Sequence, residues 1–357
     1  MLLCLVSDRG ILSSTSTRAN SRTLRRDQGA GILYNPMSLV VRLNEMELIR
    51  GVHNIRPRHH GSVASVGNFD GLHLGHQAVL RQLLDASARY QLPSTVIIFE
   101  PQPAEYFHPE GQPPRLSAMR EKLMLLQRFG IDRVCVMRFN EHFAAQTAEE
   151  FATATLVDGF GIRELVIGDD FKFGSARGGD FFALEAFGKR YGFTVLRTQS
   201  HILNGERVSS TAVRQKLIDG NFAGVEAFLG RRYFIAGRVV HGQHRGRSIG
   251  FPTVNLNLNR HRAPLNGIYA SYVRGLGDRL LPAISYVGSR PVIEDPAYVL
   301  EAHIFDIDED CYGRRLEVEF VEKVRDDLPF ESFENLRQQI VLDCAVARKI
   351  LGLEVEK

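Results

Sequence analysis

Strand-like and helix-like segments alternate along the first half of this chain, and this alternation restricts its fold more than any other feature. Short apolar or β-branched runs occur at Ser62–Asn68, Ser94–Phe99, Arg133–Arg138, Glu164–Ile167 and Thr194–Thr198. Helically spaced apolar residues occur at Gln77–Tyr90, Met119–Phe129, Ala148–Phe160, Phe181–Tyr191, Ser210–Asp219 and Asn221–Leu229. Strands that alternate with helices of this length predict an open parallel sheet with helices on both faces.

The pattern changes near Arg231, where short strands separated by Gly, Pro and Asn replace the alternation. These strands are predicted at Tyr233–His241, Gly267–Val273, Arg279–Val287, Tyr298–Ile307 and Arg315–Lys323. Their spacing indicates a small antiparallel β-barrel. An amphipathic helix at Ser332–Leu351 closes the chain. Since 357 residues exceed one typical core, we predict two domains, at residues 46–230 and 231–357.

The first 45 residues differ in composition from the rest and carry all of the formal net charge. They hold six Arg and three acidic residues, so the remaining chain has 38 basic and 38 acidic residues out of totals of 44 and 41. A neutral body argues against a nucleic-acid partner, which needs a broad basic face. We interpret residues 1–45 as a disordered leader or a misassigned start, with a targeting peptide as the alternative, since Arg and Ser are abundant and acids few.

The cysteines and the apolar runs indicate the compartment. Four cysteines, at positions 4, 135, 311 and 344, form no C-x-x-C pair, which argues against a disulfide framework or a zinc site. The longest apolar runs, such as Thr95–Phe99, are far too short to span a bilayer. We therefore expect a cytoplasmic protein without a membrane partner, and the sequence leaves the oligomeric state open.

A phosphate-binding turn is predicted between the first strand and the first helix, in Val66-Gly-Asn-Phe-Asp-Gly-Leu-His-Leu-Gly-His76. In an open α/β sheet, ligands bind beyond the carboxyl ends of the strands, and the helix that follows offers free amides and a positive dipole end. Gly67, Gly71 and Gly75 allow the backbone to approach an anion closely. His73 and His76 could donate to triphosphate oxygens and stabilise charge on the leaving pyrophosphate. The alternative is a surface turn with no task.

A second helix start, Val208-Ser-Ser-Thr-Ala-Val-Arg214, is predicted to face the first. Ser209 or Ser210 can cap the helix, which would be a purely structural role. Arg214 lies one turn into the helix and could reach a phosphate.

These motifs resemble those of the nucleotidylyltransferase superfamily. More closely, residues 46–230 resemble the FMN adenylyltransferase domain of bacterial bifunctional riboflavin kinase/FAD synthetases, which implies a Rossmann-like sheet. Phe99-Glu-Pro-Gln-Pro103, Ile167-Gly-Asp-Asp-Phe-Lys-Phe-Gly174 and Arg177 also match. The resemblance implies that a set of residues contacts ATP or flavin: Gly67, Asn68, Phe69, Asp70, Gly75, Asp170, Phe171, Arg177, Ser209, Ser210 and Thr211.

The chemistry that this resemblance implies needs no general base. FMN brings an ionised phosphate as its own nucleophile, so the site must align two anions and neutralise their repulsion. His73, His76 and Arg214 are the expected catalytic residues, and Mg²⁺ on ATP would supply the remaining positive charge.

The start of the predicted barrel contains a second candidate phosphate site. Gly242, Gly246 and Gly250 recur in a loop whose amides could wrap phosphates, although a plain β-hairpin fits as well. Thr253 and Asn255 are two residues apart and would share one strand face, where their oxygens could complete the shell of a Mg²⁺ ion held mainly by ATP. Glu301 lies in the apolar run Leu300–Phe305, as either a rim residue or a catalytic base, and we favour the base.

Residues 231–352 resemble the riboflavin kinase domain, through Gly267-Ile-Tyr-Ala270, Tyr312-Gly313, Val324-Arg325 and Asp343. The resemblance implies that riboflavin, FMN and ATP are substrates, with FAD as product, and that Arg325 contacts a ligand. Tyr286 and Val292 stand where the family usually has Asn and Thr.

Three alternatives remain. The chain could be an FMN adenylyltransferase whose barrel only binds flavin or regulates, and Tyr286 and Val292 motivate that reading. It could be a nucleotidylyltransferase for a pantetheine or nicotinamide phosphate, or a non-enzymatic flavin- or RNA-binding protein. The retained Thr253, Asn255 and Glu301 argue against the first, and the attached barrel argues against the second. The neutral body argues against the third.

Overall fold

A six-stranded parallel sheet forms the first part of the computed structural model, which describes residues 46–241, 250–258, 260, 262–290, 297–307 and 309–353. Its strands are β1 (Glu47–Arg50), β2 (Ser62–Val66), β3 (Ser94–Glu100), β4 (Arg133–Arg138), β5 (Ile162–Gly168) and β6 (Thr194–Thr198). They lie in the order β1-β4-β3-β2-β5-β6, and every neighbouring pair is parallel. The predicted sheet is confirmed, with β1 as an additional edge strand.

The helices of this part follow the predicted segments. They are α1 (Leu74–Tyr90), α2 (Pro103–Phe107), α3 (Met119–Phe129), α4 (Glu141–Ala145), α5 (Ala148–Phe151), α6 (Phe181–Tyr191), α7 (Ser210–Ile218) and α8 (Phe222–Leu229). The helix predicted at Ala148–Phe160 differs, because α5 continues as a π-helical segment, Ala152–Val157. Helix α1 begins three residues before the predicted Gln77, because His73 caps it.

Successive residues of the central strands pack on opposite faces of the sheet. Val63 and Val96 belong to a core shared with Leu83 of α1 and Leu126 of α3. Their neighbours in sequence, including Ile97, pack on the other face with the π-helical segment and α6. This alternation with a period of two determines which face of the sheet each strand residue occupies. The two cores cover the faces of the sheet and leave the carboxyl ends of the strands free for a site.

The second part is a closed antiparallel barrel. Its strands are β9 (Phe234–Val240), β10 (Val254–Asn257), β11 (Gly267–Arg274), β12 (Leu281–Arg290), β13 (Ala297–Ile304) and β14 (Arg315–Arg325), and a small hairpin of β7 (Ile202–Leu203) and β8 (Glu206–Arg207) precedes them. Around the barrel the order is β10-β13-β12-β11-β14-β9, closed by pairing of β9 with β10. The predicted barrel is confirmed, with β10 as a strand that the sequence pattern did not delimit.

The barrel has an apolar interior and a helix on its outer surface. Val239, Leu300 and Phe320 are among the buried residues of the interior. Helix α9 (Phe333–Ile350), capped by Ser332, packs its Ala347 against Ile268 and Ile284 on the outside of the barrel. Helix α9 therefore covers part of the outer face of the barrel.

Among the described residues, no helix combines the length and apolar character needed to cross a membrane. Cys135, Cys311 and Cys344 are free thiols.

Candidate active sites

A cavity of about 880 Å³ opens at the carboxyl ends of the parallel strands. Both phosphate motifs contribute to its wall, through Asn68 and His76 from the first and Ser210 and Arg214 from the second. Much of the remaining wall is aromatic, and these rings are Phe69, Phe99, Phe107, Phe139, Phe143, Phe151, Phe171 and Phe173. The volume lies within the usual range for small-molecule sites, and the wall combines apolar rings with a few polar groups.

The turn between β2 and α1 has an unusual backbone. Phe69, Gly71 and Leu72 have φ values of 47°, 80° and 46°. Residues other than glycine rarely adopt positive φ values, so Phe69 and Leu72 are held in a strained backbone conformation. A Cβ atom at Gly71 would come within 2.7 Å of Leu116. The turn is therefore fixed by its surroundings.

His73 lies at the amino end of α1 as its capping residue. Its Nδ1 accepts a hydrogen bond from the His76 amide at 3.3 Å, so in the neutral ring Nε2 carries the proton. Burial lowers the pKa of His73 to about 4. The side chain is therefore a neutral hydrogen-bond donor at pH 7.

His76 stacks on His73, with ring centroids 3.7 Å apart and an angle of 19° between the planes. Burial lowers the pKa of His76 well below its ordinary value, and the neighbouring His73 adds to the shift. The His76 Nδ1 has no hydrogen-bond partner among the described residues, and the ring forms part of the cavity wall. It is therefore a neutral imidazole with unused hydrogen-bonding capacity at the cavity.

Asp70 joins the two phosphate motifs. Its carboxylate accepts hydrogen bonds from the amides of Leu116 and Ser117 and pairs with Arg214, whose Nε donates to the Pro114 carbonyl. Its backbone carbonyl accepts from the Ser210 hydroxyl at 2.9 Å. Asp70 thus orients Arg214 at the cavity wall.

Some predicted residues support the site without lining the cavity. His73, Gly75, Ser209 and Thr211 are absent from the cavity wall. Ser209 caps α7 by accepting from the Ala212 amide. A Cβ at Gly75 would meet the His73 ring and the Val208 carbonyl, so glycine permits the close approach of the two motifs.

The segment after β5 forms another wall of the cavity. Asp170, Phe171 and Arg177 all line it, and Asp170 pairs with Arg207 at 2.7 Å. Phe171 stacks on Phe173, with ring centroids 5.5 Å apart. Phe173 is buried in the core, whereas Phe171 is only partly buried, so the two phenylalanines differ in their access to the cavity.

Two cations near the cavity have no counterpart in the motifs read from the sequence. Arg115 lines the cavity and pairs with both Glu100 and Glu105. Lys122 of α3 is fully buried, and its Nζ has no hydrogen-bond partner among the described residues. Burial lowers the pKa of Lys122, an effect that the carboxylate of Asp70 opposes. Helical periodicity gave no signal for Lys122, because it marks only apolar positions, and Arg115 lies in the loop between α2 and α3, where no periodic pattern exists.

The barrel places two predicted site residues, and a residue that departs from the family pattern, in one row across three strands. Asn255 of β10 pairs directly with Glu301 of β13, and Glu301 pairs directly with Tyr286 of β12. Directly paired residues have their side chains on the same face of a sheet. The same face carries Ile268 beneath α9, so this row lies on the outside of the barrel.

Tyr286 has well-defined surroundings. Its hydroxyl donates to Asp327 at 2.9 Å, and its ring occupies the space above Gly288. His303 lies two residues after Glu301 in β13. Its Nδ1 contacts the carbonyl of Pro252 at 2.8 Å, and Pro252 directly precedes Thr253. Thr253 and Asn255 are both half-buried.

The structure describes some of the remaining predicted residues of the barrel but not others. Arg325 forms a two-pronged ion pair with the buried Asp343 of α9 and lies over the Phe330 ring. Gly250 has a φ of 89°. Gly242, Gly246 and Val292 lie outside the described residues.

The oxygen atoms of Thr253 and Asn255, near Glu301, are the candidate metal ligands of the barrel. The described residues contain no cluster of three His, Cys, Asp or Glu side chains able to hold a metal ion. The uncharged oxygens of Thr253 and Asn255 suit a Mg²⁺ ion whose charge is balanced by ATP, because this ion is commonly bound through few protein ligands together with substrate phosphates.

A parallel sheet with a cavity at its strand ends, followed by a closed barrel with its own polar row, defines a class of enzymes with two candidate sites in one chain. Residues 55–212 match the FAD synthetase family model and residues 229–351 match the riboflavin kinase model. The chain belongs to the family of bifunctional riboflavin kinase/FMN adenylyltransferases.

The chain aligns with relatives of this name over nearly the whole length of each relative. The protein of that name from Escherichia coli is 44% identical over 309 residues, which are 86% of this chain and 99% of the relative. The Haemophilus influenzae protein is 43% identical over 303 residues, 85% of this chain and 98% of the relative. A solved structure titled as a macrolide-efflux protein from Streptococcus pneumoniae is 30% identical, with a TM-score of 0.72, and covers 85% of this chain and 99% of its own.

Proposed function

We propose that this chain phosphorylates riboflavin to FMN on the barrel and adenylylates FMN to FAD at the sheet cavity, with ATP as the donor in both steps. The observation that carries the proposal is the cavity itself, because both phosphate motifs and a set of aromatic rings line one space. The aromatic wall suits a flat apolar flavin ring, and the two helix starts suit phosphates.

In adenylyl transfer, a phosphate oxygen of FMN attacks the α-phosphorus of ATP. An O–P bond forms, the bond between the α-phosphorus and the bridging oxygen breaks, and pyrophosphate leaves. His76 and Arg214 at the cavity wall are proposed to stabilise the charge on the phosphates, and His73 to donate through Nε2. Asp70 is a positioning residue in this scheme, because it acts through Arg214.

In riboflavin phosphorylation, the 5′-hydroxyl of riboflavin attacks the γ-phosphorus of ATP and ADP leaves. Glu301 is proposed to take the hydroxyl proton, because a ribityl hydroxyl is a poor nucleophile without a base. Thr253 and Asn255 are proposed to hold Mg²⁺ together with ATP, where the ion would neutralise phosphate charge. Asn255 pairs directly with Glu301, which supports a shared site.

The finer assignments are proposals of the same kind. They comprise the domain limits 46–230 and 231–357, the ligand-contacting residues named above, a cytoplasmic location, and the absence of nucleic-acid and membrane partners. The neutral body supports the absence of a nucleic-acid partner, and the free thiols support the cytoplasmic location.

The test is to incubate the chain with riboflavin, ATP and Mg²⁺ and to separate the flavins by chromatography over time. We expect FMN to rise first and FAD to follow. Conversion of supplied FMN to FAD without any use of riboflavin would support an adenylyltransferase with a non-catalytic barrel, for which Tyr286 beside Glu301 would be the first suspect. Failure to form FAD from FMN would contradict the proposal.

A further inference from the structure

The short connection between α8 and β9 reaches back to the phosphate-binding turn. Helix α8 ends at Leu229, its C-cap Gly230 has a φ of 68°, and Arg231 follows. The Arg231 guanidinium donates to the Gly71 carbonyl at 2.8 Å and to the Leu72 carbonyl at 3.4 Å. A residue at the start of the barrel part thus binds the backbone of the turn that precedes α1.

Arg231 has polar partners of only one kind. Within the described chain its hydrogen-bond acceptors are backbone carbonyls, it has no carboxylate partner, and its Nε is buried without an acceptor. Burial lowers the pKa of Arg231 to about 10. The Arg231 side chain is half-buried, and a cation that loses solvation without a counter-ion is costly, so its placement calls for a role beyond packing.

The carbonyls that Arg231 holds determine where the neighbouring amides point. In a planar trans peptide the C=O and the following N–H point in opposite directions, so the Leu72 and His73 amides face away from Arg231. Neither amide donates a hydrogen bond to another described residue. The Gln77 side chain reinforces the arrangement by donating to the Leu72 and Leu229 carbonyls. The strained turn is therefore clamped from its carbonyl side.

Tyr233 makes a parallel connection to the other half of the site. This buried residue, immediately before β9, donates its hydroxyl to the Leu116 carbonyl at 2.9 Å. The Leu116 amide in turn donates to Asp70, which pairs with Arg214 at the cavity wall. Hydrogen bonds to the carbonyl and the amide of Leu116 thus connect Tyr233 with Asp70 and, through Asp70, with Arg214.

From these contacts we infer that Arg231 and Tyr233 are positioning residues for adenylyl transfer, although both lie in the segment that matches the riboflavin kinase model. The inference rests on the proposed function. The sheet cavity obtains its working geometry from the first residues of the barrel part, so the two activities share structural support while their reacting groups stay separate.

The test compares Arg231→Met and Tyr233→Phe with the unchanged chain, and measures both activities in each preparation. We expect kcat for FAD formation to fall about tenfold in Arg231→Met and about threefold in Tyr233→Phe, since small misplacements of reacting groups have large effects. FMN formation should stay within about twofold, because Arg231 bonds to the turn before α1 and Tyr233 to Leu116 rather than to the row that contains Glu301. Arg231→Lys, which can still donate to a carbonyl, should recover part of the loss.

Arg128→Met is the matched control. Arg128 of α3 pairs with Glu317 of β14 between the same two parts of the chain but makes no hydrogen bond to the turn. This variant should leave FAD formation near that of the unchanged chain. An equal loss in Arg128→Met and Arg231→Met, or unchanged FAD formation in Arg231→Met, would overturn the inference.

Hydrogen exchange separates this inference from the proposed function. Amides of residues 67–76 should exchange faster in Arg231→Met than in Arg128→Met, whether or not FAD forms. Equal exchange in the two variants would contradict the positioning role. An unchanged chain that forms no FAD from FMN, with faster exchange in Arg231→Met, would contradict the proposed function while leaving the clamp in place.

Discussion

At the scale of single residues, His73 combines a structural role with a proposed chemical one. It caps α1 through Nδ1, which leaves Nε2 as the donor, and burial keeps the ring neutral. A neutral donor suits a site that binds two anions, because it offers a hydrogen bond without a tightly held counter-ion. The sequence indicated the His pair, whose phosphate role stays a prediction, but the stacking of the rings and their neutral state depend on packing.

The lowered pKa of His73 makes stability depend on pH. The unfolded His73 takes up a proton below its ordinary pKa of 6.5, whereas the folded one stays neutral down to about 4. The free energy of unfolding should therefore decrease as pH falls through this window, by roughly 3 kcal/mol in full, because the unfolded state binds more protons there.

Chemical denaturation of the unchanged chain and of His73→Asn at pH 7.5 and pH 4.5 measures this effect. Asn preserves the ability to cap a helix but does not titrate. We expect the variant to lose clearly less stability on acidification than the unchanged chain, and His76 and the carboxylates contribute to both. An equal loss in the two proteins would show that His73 does not titrate as its burial requires.

At the scale of elements, the register of three barrel strands assembles the proposed kinase row. The sequence placed Glu301 on a strand and put Asn255 on an extended segment, and it identified Tyr286 as unusual. It did not show that these residues are direct neighbours, because pairing between β10, β13 and β12 joins positions far apart in the chain. Local periodicity carries no information on such register.

Tyr286 and Gly288 are predicted to be coupled. A Cβ at Gly288 would collide with the Tyr286 ring, so Gly288→Ala should displace the ring, break its hydrogen bond to Asp327 and disturb Glu301. We expect FMN formation to fall about tenfold in Gly288→Ala, as overpacking moves a neighbouring group.

A double-mutant cycle for FMN formation measures this coupling. With Tyr286→Asn as background, Gly288→Ala should change the rate little, because the colliding ring is gone. FAD formation from supplied FMN should stay unchanged in all variants and serves as the internal control. A tenfold loss that persists without the tyrosine ring would show that Gly288 matters for another reason.

At the scale of the whole molecule, the order of a parallel α/β part and a barrel followed from sequence patterns that act locally. Strand and helix periods differ, and most predicted segments lie within a few residues of the observed ones. The sequence pattern did not predict the limits of strand β10, because Val254–Asn257 is short and follows a glycine-rich segment. The domain limit near Gly230 stays a prediction.

The contacts between the two parts could not be predicted from the sequence. Helix α3 buries Glu121 against Arg260 and the Ala236 amide of the barrel. Helical periodicity assigns Glu121 to a solvated face, because it takes no account of a partner 139 residues away. The same reason hides Arg231 and Tyr233, whose importance for the cavity depends entirely on tertiary contacts.

The central claim is that two separate sites in one chain act in sequence, and two variants assayed in parallel test it most directly. His73→Asn should convert riboflavin to FMN at the normal rate but form almost no FAD. Glu301→Gln should form no FMN from riboflavin yet convert supplied FMN to FAD normally, because the two residues lie in different parts of the fold. Loss of both activities together in either correctly folded variant would contradict the assignment of two independent sites.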